Sequence, residues 1–396
     1  MRFLLDAEQR AFAASLDAML AAADTPSVVR AWAGGDHAPG RALWSRLAEA
    51  GVFALAVPEA YEGVGPLPVE LAVAFVELGR HAVPGPVVET VAAAVLLGEL
   101  SALGEPGPAE RLLPGLASGK SPATLVLPDS PTPAAGASPA SAGPTPDAKA
   151  TPSGGHAPDP NPAAPSGGHA PDPNPATPSG GHAPDPNPAA LSGGYALDAD
   201  AAVSLVVDRD GLRLVSGHGP VRVSVDRARR LARPQDGGEL LAAGPQVAHA
   251  VPRALLWARL ATAAQALGVG LALLGRTVDH VGRRTQFGVP VGSFQAVKHR
   301  LADALLALEF ARPLLFGAAL SMTPAEVAAA KVSACEAAYS AARAALQLHG
   351  AIGYTAEYDL SLWFTKARAL RTAWGTPAEC RAEALAGLSG GRPPRS

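Results

Sequence analysis

The chain has 396 residues with 32 basic and 35 acidic side chains, for a formal net charge of −3 at pH 7. Charged residues make up 17% of it, which excludes the dense basic surface of a nucleic-acid-binding protein. Cys335 and Cys380 are its two cysteines, too few for a disulfide framework and wrongly spaced for a CxxC metal or redox site. We therefore expect a cytoplasmic protein of two or three domains.

The start of the chain predicts neither export nor insertion into a membrane. Asp6, Glu8 and Arg10 interrupt the apolar run that a signal peptide needs. No uninterrupted apolar run reaches the roughly 18 residues of a membrane-spanning helix. We expect a soluble protein without a membrane partner.

Apolar residues recur at helical spacing through the first part of the chain. Asp6 and Gln9 are spaced as a capping box before the first such segment, and a Gly- and Pro-rich loop spans residues 52–66. The further helical patterns lie around residues 40–50, 69–79 and 87–100. We predict a helical N-terminal domain over residues 1–120.

The pattern then changes to short β segments, which predict a small middle β domain over residues 121–240. Residues 123–127 form one candidate strand. Two more candidates, residues 203–207 and 212–215, flank the turn residues Arg209-Asp-Gly211 and predict a hairpin. The alternation of Val221, Val223 and Val225 with polar residues predicts a further strand with one buried face.

A Pro- and Gly-rich segment at about residues 128–192 interrupts this domain. It contains a 13-residue repeat that begins at Pro152, Pro165 and Pro178. The repeats lack the apolar positions that solenoid units need for stacking, so we predict a disordered insertion. The histidines of the repeats suggest a metal tract as an alternative, but single, widely spaced histidines do not form a ligand cluster, and we predict no metal site.

Long helical patterns return from residue 241 to residue 390. One runs from Ala254 to Arg284, and another begins near Val297. The sequence Thr-Pro-Ala-Glu, a typical helix start, occurs at residues 323–326 and again at residues 376–379. We predict a C-terminal antiparallel helix bundle, and an α+β fold class for the whole chain.

Two stretches of the C-terminal region resemble the flavin-contacting signatures of the acyl-CoA dehydrogenases. They are Arg-Thr-Gln-Phe-Gly-Val-Pro-Val-Gly-Ser-Phe-Gln at residues 284–295 and Gln-Leu-His-Gly-Ala-Ile-Gly-Tyr-Thr-Ala-Glu at residues 347–357. The resemblance covers the chain apart from the insertion. It implies FAD as cofactor, an acyl-CoA thioester as substrate, an electron-transfer flavoprotein as oxidant, and a homo- or hetero-oligomer.

By this resemblance, one set of residues contacts FAD, mainly the adenosine-diphosphate half of a cofactor held by a neighbouring subunit. Guanidinium and amide donors suit a pyrophosphate, and small residues let the backbone approach. The set comprises Arg284, Gln286, Phe287, Phe294, Gln295, Gln347, His349, Gly350 and Thr376. Each signature alone has an ordinary alternative, because an Arg between helices is often a capping residue and Gly-Ala-Ile-Gly ends helices generally.

The reaction implied is α,β-dehydrogenation, in which a carboxylate removes the α proton of the thioester. Most relatives carry this base as a Glu before a Gly-Thr pair, and the residue at that position here is Trp374. A second family position, on the long helix, falls near Ala258-Arg259. An indole cannot accept a proton at neutral pH. Glu357 and Glu379 lie nearby in sequence, but the first matches a structural Glu and the second a helix cap.

We therefore predict a subunit of an actinobacterial type of acyl-CoA dehydrogenase that depends on a partner subunit for its catalytic base. Two alternatives stay open. The chain is an autonomous flavoenzyme with altered chemistry or an unrecognised base, or it is a non-catalytic interaction protein. Burial of Arg284 and Gln347 as structural residues would favour the last alternative.

Overall fold

The structure is a computed structural model, which describes residues 5–127, 194–199 and 201–390. The predicted insertion at about residues 128–192 and its repeats lie outside the described residues. All described residues belong to one of the two compact units of the chain, the unit formed by residues 1–130 and 188–396.

Helices make up the described N-terminal region. They are α1 Ala7–Ala21, α2 Thr25–Ala33, α3 Ala38–Glu49, α4 Pro68–Arg80, α5 Val87–Ala102 and α6 Gly107–Ala117. Helix α1 begins with the predicted capping box, because Gln9 N donates to Asp6 Oδ1 over 2.8 Å and Asp6 N donates to Gln9 Oε1 over 3.1 Å. Helices α2 and α6 are short and contain prolines, and the sequence pattern did not predict them.

A four-stranded sheet of short strands follows. Its members are β1 Ala123–Val126, β2 Val203–Val207, β3 Gly211–Val215 and β6 Glu239–Ala243. They pair in the order β1-β2-β3-β6, with β1 and β2 parallel and the other pairs antiparallel. The predicted hairpin is confirmed, with Asp208 Oδ1 accepting from the amides of Asp210 and Gly211 in its turn.

The strand predicted from Val221, Val223 and Val225 is wrong in its extent and its burial. Only β4 Arg222–Val223 forms there, and it pairs with β5 Arg230–Leu231 as an isolated two-stranded ribbon. Val223 is 78% exposed. Within the described part of the chain, no other element covers the Val223 side of this ribbon. The alternation of valines with polar residues therefore does not correspond to a buried face.

The remaining helices form the C-terminal part of the fold. They are α7 Pro245–Arg283, α8 Gln295–Ser321, α9 Pro324–His349, α10 Leu360–Leu370 and α11 Pro377–Gly390. Helix α7 begins nearer the sheet than predicted and packs against α4, α5, α8, α9 and α10. It crosses α4 very closely, since a Cβ at Gly79 would lie 2.0 Å from the Gln265 carbonyl oxygen. The buried helix α7 thus joins both helical regions into one core.

Helices α7 and α8 are the two described helices that are long and apolar enough to cross a membrane by length and composition alone. In α7, 78% of the most apolar stretch of 18 residues is buried inside the protein, as expected of a core helix. In α8, only 39% of the corresponding stretch is buried. Helix α8 therefore keeps an exposed apolar face, made of Leu305, Leu306, Phe310, Leu314 and Leu320.

Candidate functional site

The loop between α7 and α8 carries the first predicted signature as an exposed hairpin. Strands β7 Thr285–Gln286 and β8 Val289–Pro290 are joined by Phe287 and Gly288, both with positive φ angles of 54° and 81°. A two-residue hairpin turn of this kind requires such angles, which are costly for a bulky residue. Phe287 is nonetheless 91% exposed. The hairpin therefore presents an aromatic side chain to solvent, where a ligand or partner can reach it.

The other predicted side chains of this loop are also accessible. The rings of Phe287 and Phe294 meet edge to face with centroids 6.4 Å apart. Gln286 and Gln295 are both exposed. The loop therefore combines aromatic surface with amide donors, the groups that were predicted to contact a nucleotide.

Arg284 connects the first signature to the second. Its Nη1 donates to the carbonyl oxygen of His349, the last residue of α9, over 3.4 Å. Gly350 follows with φ of 66° and ends the helix. Gln347 and Arg284 are both exposed, so neither is a buried structural residue. The fold thus brings the two signatures together at the contact between Arg284 and His349.

The His349 ring itself is completely buried. Its Nδ1 bonds to the Ala345 carbonyl over 2.8 Å, and its ring stacks on that of His280 with centroids 4.0 Å apart. Burial lowers the pKa of both imidazoles, and the charge of Arg284 lowers both pKa values further. Both rings are therefore neutral at pH 7. The predicted cofactor contact of His349 stays a prediction, and the structure gives its ring a packing role beside Arg284.

A cleft of about 460 Å³ opens beside Arg284. Its lining includes two further arginines, Arg276 and Arg283, which the sequence analysis missed. Arg276 stacks on the Trp363 ring at 4.0 Å, and burial lowers the pKa of its guanidinium. The signal was present, because residues 276 and 283 share one face of α7 at a spacing of seven, and residue 284 follows directly after the helix. The carboxylates of Asp279 and Asp359 also line the cleft, so its three arginines leave an excess of positive charge, which suits an anionic group such as a phosphate.

Trp374, at the predicted base position, lies where the N-terminal helices, the sheet and the C-terminal helices meet. We call this place the junction. The residue is 7% exposed and has a φ of 59°. Its indole Nε1 donates to Glu89 Oε1 on α5 over 3.3 Å, and Arg229 Nη2 donates to the same oxygen over 2.9 Å. Glu89 is therefore the buried carboxylate at the junction, and it is already ion-paired.

The second predicted base position lies beside the first in space. Ala258 is buried on α7, and the next residue, Arg259, donates from Nε to the Trp374 carbonyl over 3.0 Å. The sequence analysis identified both base positions, Trp374 and Ala258, but missed Glu89. No local pattern could have found it, because Glu89 and Trp374 are 285 residues apart in the chain.

Thr376 serves as a helix cap in the structure. Its Oγ1 accepts from Glu379 N over 3.2 Å, and its own N donates to Glu379 Oε2 over 2.7 Å. The cap predicted for Glu379 is confirmed. With its hydroxyl engaged in the cap, the predicted cofactor role of Thr376 stays a prediction.

Comparison with known proteins follows the same division of the chain. Residues 6–120 match the N-terminal domain of acyl-CoA dehydrogenases, and residues 247–384 match the C-terminal domain. The two matches together cover well over half of the chain. The chain belongs to the acyl-CoA dehydrogenase family. The predicted family is confirmed, and FAD is the cofactor of that family.

Individual relatives include mycobacterial proteins. The chain is 28% identical over 359 residues to the acyl-CoA dehydrogenase IpdE2 of Mycobacterium tuberculosis, covering 89% of both chains. It resembles a chain of the ChsE4–ChsE5 complex from the same organism, with a TM-score of 0.69 and 20% identity over 99% of this chain and 100% of that one. It also resembles a chain of a variant of the steroid acyl-CoA dehydrogenase Tcur3481–Tcur3483, with a TM-score of 0.66 and 22% identity over 97% of this chain and 98% of that one. These likenesses confirm the predicted α+β fold.

The described residues fit FAD in one place and not in another. Around Arg284, the exposed guanidinium, amides and aromatic rings suit the pyrophosphate and adenine of a dinucleotide. Around Trp374, the cavities on either side measure about 20 and about 30 Å³. Such volumes hold roughly one water each, whereas ligand pockets span about 300–1,000 Å³. A flavin ring does not fit at the junction.

Proposed function

We propose that this chain is one subunit of a heteromeric, FAD-dependent acyl-CoA dehydrogenase that oxidises an acyl-CoA thioester to its α,β-unsaturated product. In this proposal, the chain lends the Arg284 loop to a flavin held by a partner subunit, and the partner supplies the catalytic base. A cytoplasmic location and an electron-transfer flavoprotein as oxidant belong to the same proposal.

The observation that carries the proposal is the contrast between the two sites. The Arg284 loop keeps its donors and Phe287 exposed beside an arginine-lined cleft. The base position holds Trp374, and Ala258 is no substitute. Cofactor contacts without a base suit a subunit that completes a site on another chain.

The chemistry divides between the subunits accordingly. Bound FAD would supply the acceptor for the hydride that leaves the β carbon of the thioester. The Arg284 guanidinium and the cleft arginines offset the charge of the pyrophosphate, and Phe287 offers a flat surface to an aromatic base. The carboxylate that removes the α proton is assigned to the partner.

An apolar surface beside the loop supports the need for a partner. Phe310, Leu306 and Leu314 lie four residues apart on α8, so they form one exposed stripe. Phe287 and Phe294 are two further exposed apolar side chains, on the loop from which α8 starts. An exposed apolar stripe of this kind is typical of a subunit interface.

The two alternatives are less well supported. An autonomous enzyme needs a base at the junction, and Glu89 is committed to Arg229 and to the Trp374 indole. A non-catalytic protein was expected to bury Arg284 and Gln347, and both are exposed. Steroid thioesters enter the proposal as one substrate class, through the likeness to a steroid dehydrogenase.

The test is the flavin affinity of the complex formed by co-expression with a relative that carries a Glu at a base position. We expect Arg284→Ala to weaken FAD binding about 10- to 100-fold, since hydrogen bonds to charged groups contribute about 1.5–3 kcal/mol. Arg253→Ala, on the helix α7 that ends just before Arg284, removes an arginine paired with Glu99; it is the matched control and should leave the affinity unchanged. Equal FAD affinity in the Arg284→Ala and wild-type complexes would contradict the proposal.

A further inference from the structure

The junction around Trp374 is closed by a set of contacts that reach it from several elements. Trp374 and its neighbour Ala373 line both small cavities, and the indole is the larger of the two side chains between them. One cavity borders α5 and α7, and the other borders Leu125 and Leu127 at the end of β1. Removing the indole would merge the two cavities into one space at the meeting point of the three regions.

Polar contacts hold the indole in this position. Its N–H is bonded to Glu89, and Glu89 is in turn paired with Arg229, whose side chain is 15% exposed. A buried carboxylate needs such a partner, and the pair fixes the orientation of the Glu89 acceptor. Glu89 and Arg229 are therefore positioning residues for Trp374.

The backbone carbonyls of Trp374 and of the next residue, Gly375, are also held by buried cations. Arg259 Nε donates to the Trp374 carbonyl over 3.0 Å, and Lys331 Nζ donates to the Gly375 carbonyl over 2.7 Å. Lys331 is 1% exposed, and Arg259 also pairs with Glu383. Burying two cations on one turn is costly unless both are well paired. The positive φ of Trp374 adds a strained backbone that the surroundings must stabilise.

We infer that Trp374, held by Glu89 and Arg229, permanently closes this chain's own junction to a flavin ring and to an acyl thioester. The inference deepens the proposed function and rests on it. It makes each pair of this chain with a base-bearing partner a unit with a single reaction centre, located on the partner's side. On this inference, the chain without its partner binds no FAD.

The first experiment counts FAD in the wild-type complex by native mass spectrometry and absorbance, and titrates FAD into the wild-type chain purified alone. We expect one FAD per pair of unlike chains, and no saturable binding by the chain alone at FAD concentrations up to about 100 µM. Two FAD per pair, or one FAD per isolated chain, would overturn the closure. An unaltered affinity in the Arg284→Ala complex would instead contradict the proposed function, so the two failures are distinguishable.

The second experiment tests this role of the Trp374 ring directly, with indole as the probe. Trp374→Gly should lower the melting temperature, and millimolar indole should restore part of the loss, because an apolar cavity of the right shape binds the missing group. The wild-type protein should show no such response. If indole does not raise the melting temperature of the Trp374→Gly variant, the assignment of Trp374 as the side chain that fills the junction is overturned. If that variant does not fold, the FAD count in the wild-type complex decides.

Discussion

Glu77 on α4 has a pKa raised to about 7, mainly because burial disfavours its charged form. Arg80, 3.5 Å away, and Arg312 lower that pKa, and Asp17 raises it. Asp17 itself bonds to His81 over 2.7 Å. Since the folded pKa exceeds the unfolded value of 4.5, the unfolded chain loses this proton first as the pH rises. The Glu77 contribution to stability is therefore lost between about pH 4.5 and pH 7 and stays constant above.

We expect Glu77→Gln to relieve this loss. Relative to wild type, the variant should gain stability on going from pH 5 to pH 8, by up to about 3 kcal/mol at 1.36 kcal/mol per pKa unit and less where solvent reaches the site. Urea unfolding at the two pH values measures the difference. The exposed Glu110→Gln is the matched control and should show none. A Glu77→Gln difference that is equal at both pH values would contradict a buried, protonated Glu77.

The residues of the candidate site differ in how far the sequence could predict them. Trp374 and Ala258 were found because the signature positions are local patterns. Glu89 was missed because its contact with Trp374 depends on the tertiary packing that brings α5 beside the turn between α10 and α11, which no local pattern encodes. His349 was predicted as a contact, and its complete burial could not be foreseen, since helix register decides which side of α9 faces the core.

Among the elements, helix starts were the most predictable. The Thr-Pro-Ala-Glu sequences begin α9 and α11 as expected, because the capping interactions lie within four residues. Helix α10 was missed, and its sequence has a cationic residue, Lys366, on the side that packs inward. Lys366 is 5% exposed there, bonded to the Val83 carbonyl and paired with Asp226. An ion pair formed in the tertiary structure allows a lysine to be buried, whereas a pattern of apolar and polar residues places every lysine on the surface.

The exposed apolar face of helix α8 allows the need for a partner subunit to be tested. Phe310 is 70% exposed on its apolar face. We expect Phe310→Ser to weaken association with the base-bearing partner by tenfold or more, since truncating a central aromatic anchor commonly costs above 1 kcal/mol. The stability of the chain alone should change by less than about 0.5 kcal/mol.

Analytical ultracentrifugation of the co-expressed chains measures this association. Leu103→Ser, an exposed apolar residue at the end of α5, is the control and should leave association unchanged. Unaltered association of the Phe310→Ser chain would show that the partner docks elsewhere. Flotation of the wild-type chain with lipid vesicles, abolished by Phe310→Ser, would assign the face to a membrane instead.

On the scale of the whole molecule, the sheet depends on two strands that are distant in the chain. Strands β1 and β2 are parallel neighbours, pairing Ala123 with Val203 through Val126 with Val206. A parallel pair needs a crossover of about a dozen residues or more. The sequence predicted both strands but not their parallel pairing, because a local pattern carries no information about the direction of a distant partner.

The intervening chain far exceeds that minimum, and residues 131–187 lie outside the compact unit that contains every described residue. Deleting residues 131–187 leaves 127–130 and 188–202 to make the crossover, which is still longer than a dozen residues. We expect the deleted protein to fold and to gain up to about 1 kcal/mol, because the closure entropy of a loop scales as (3/2)RT ln n and the loop becomes roughly fourfold shorter. Urea unfolding measures the gain, and FAD content after co-expression checks the Arg284 side of the molecule. A deleted protein that fails to fold, or that folds but no longer supports FAD binding by its partner, would show that the repeats belong to the working structure.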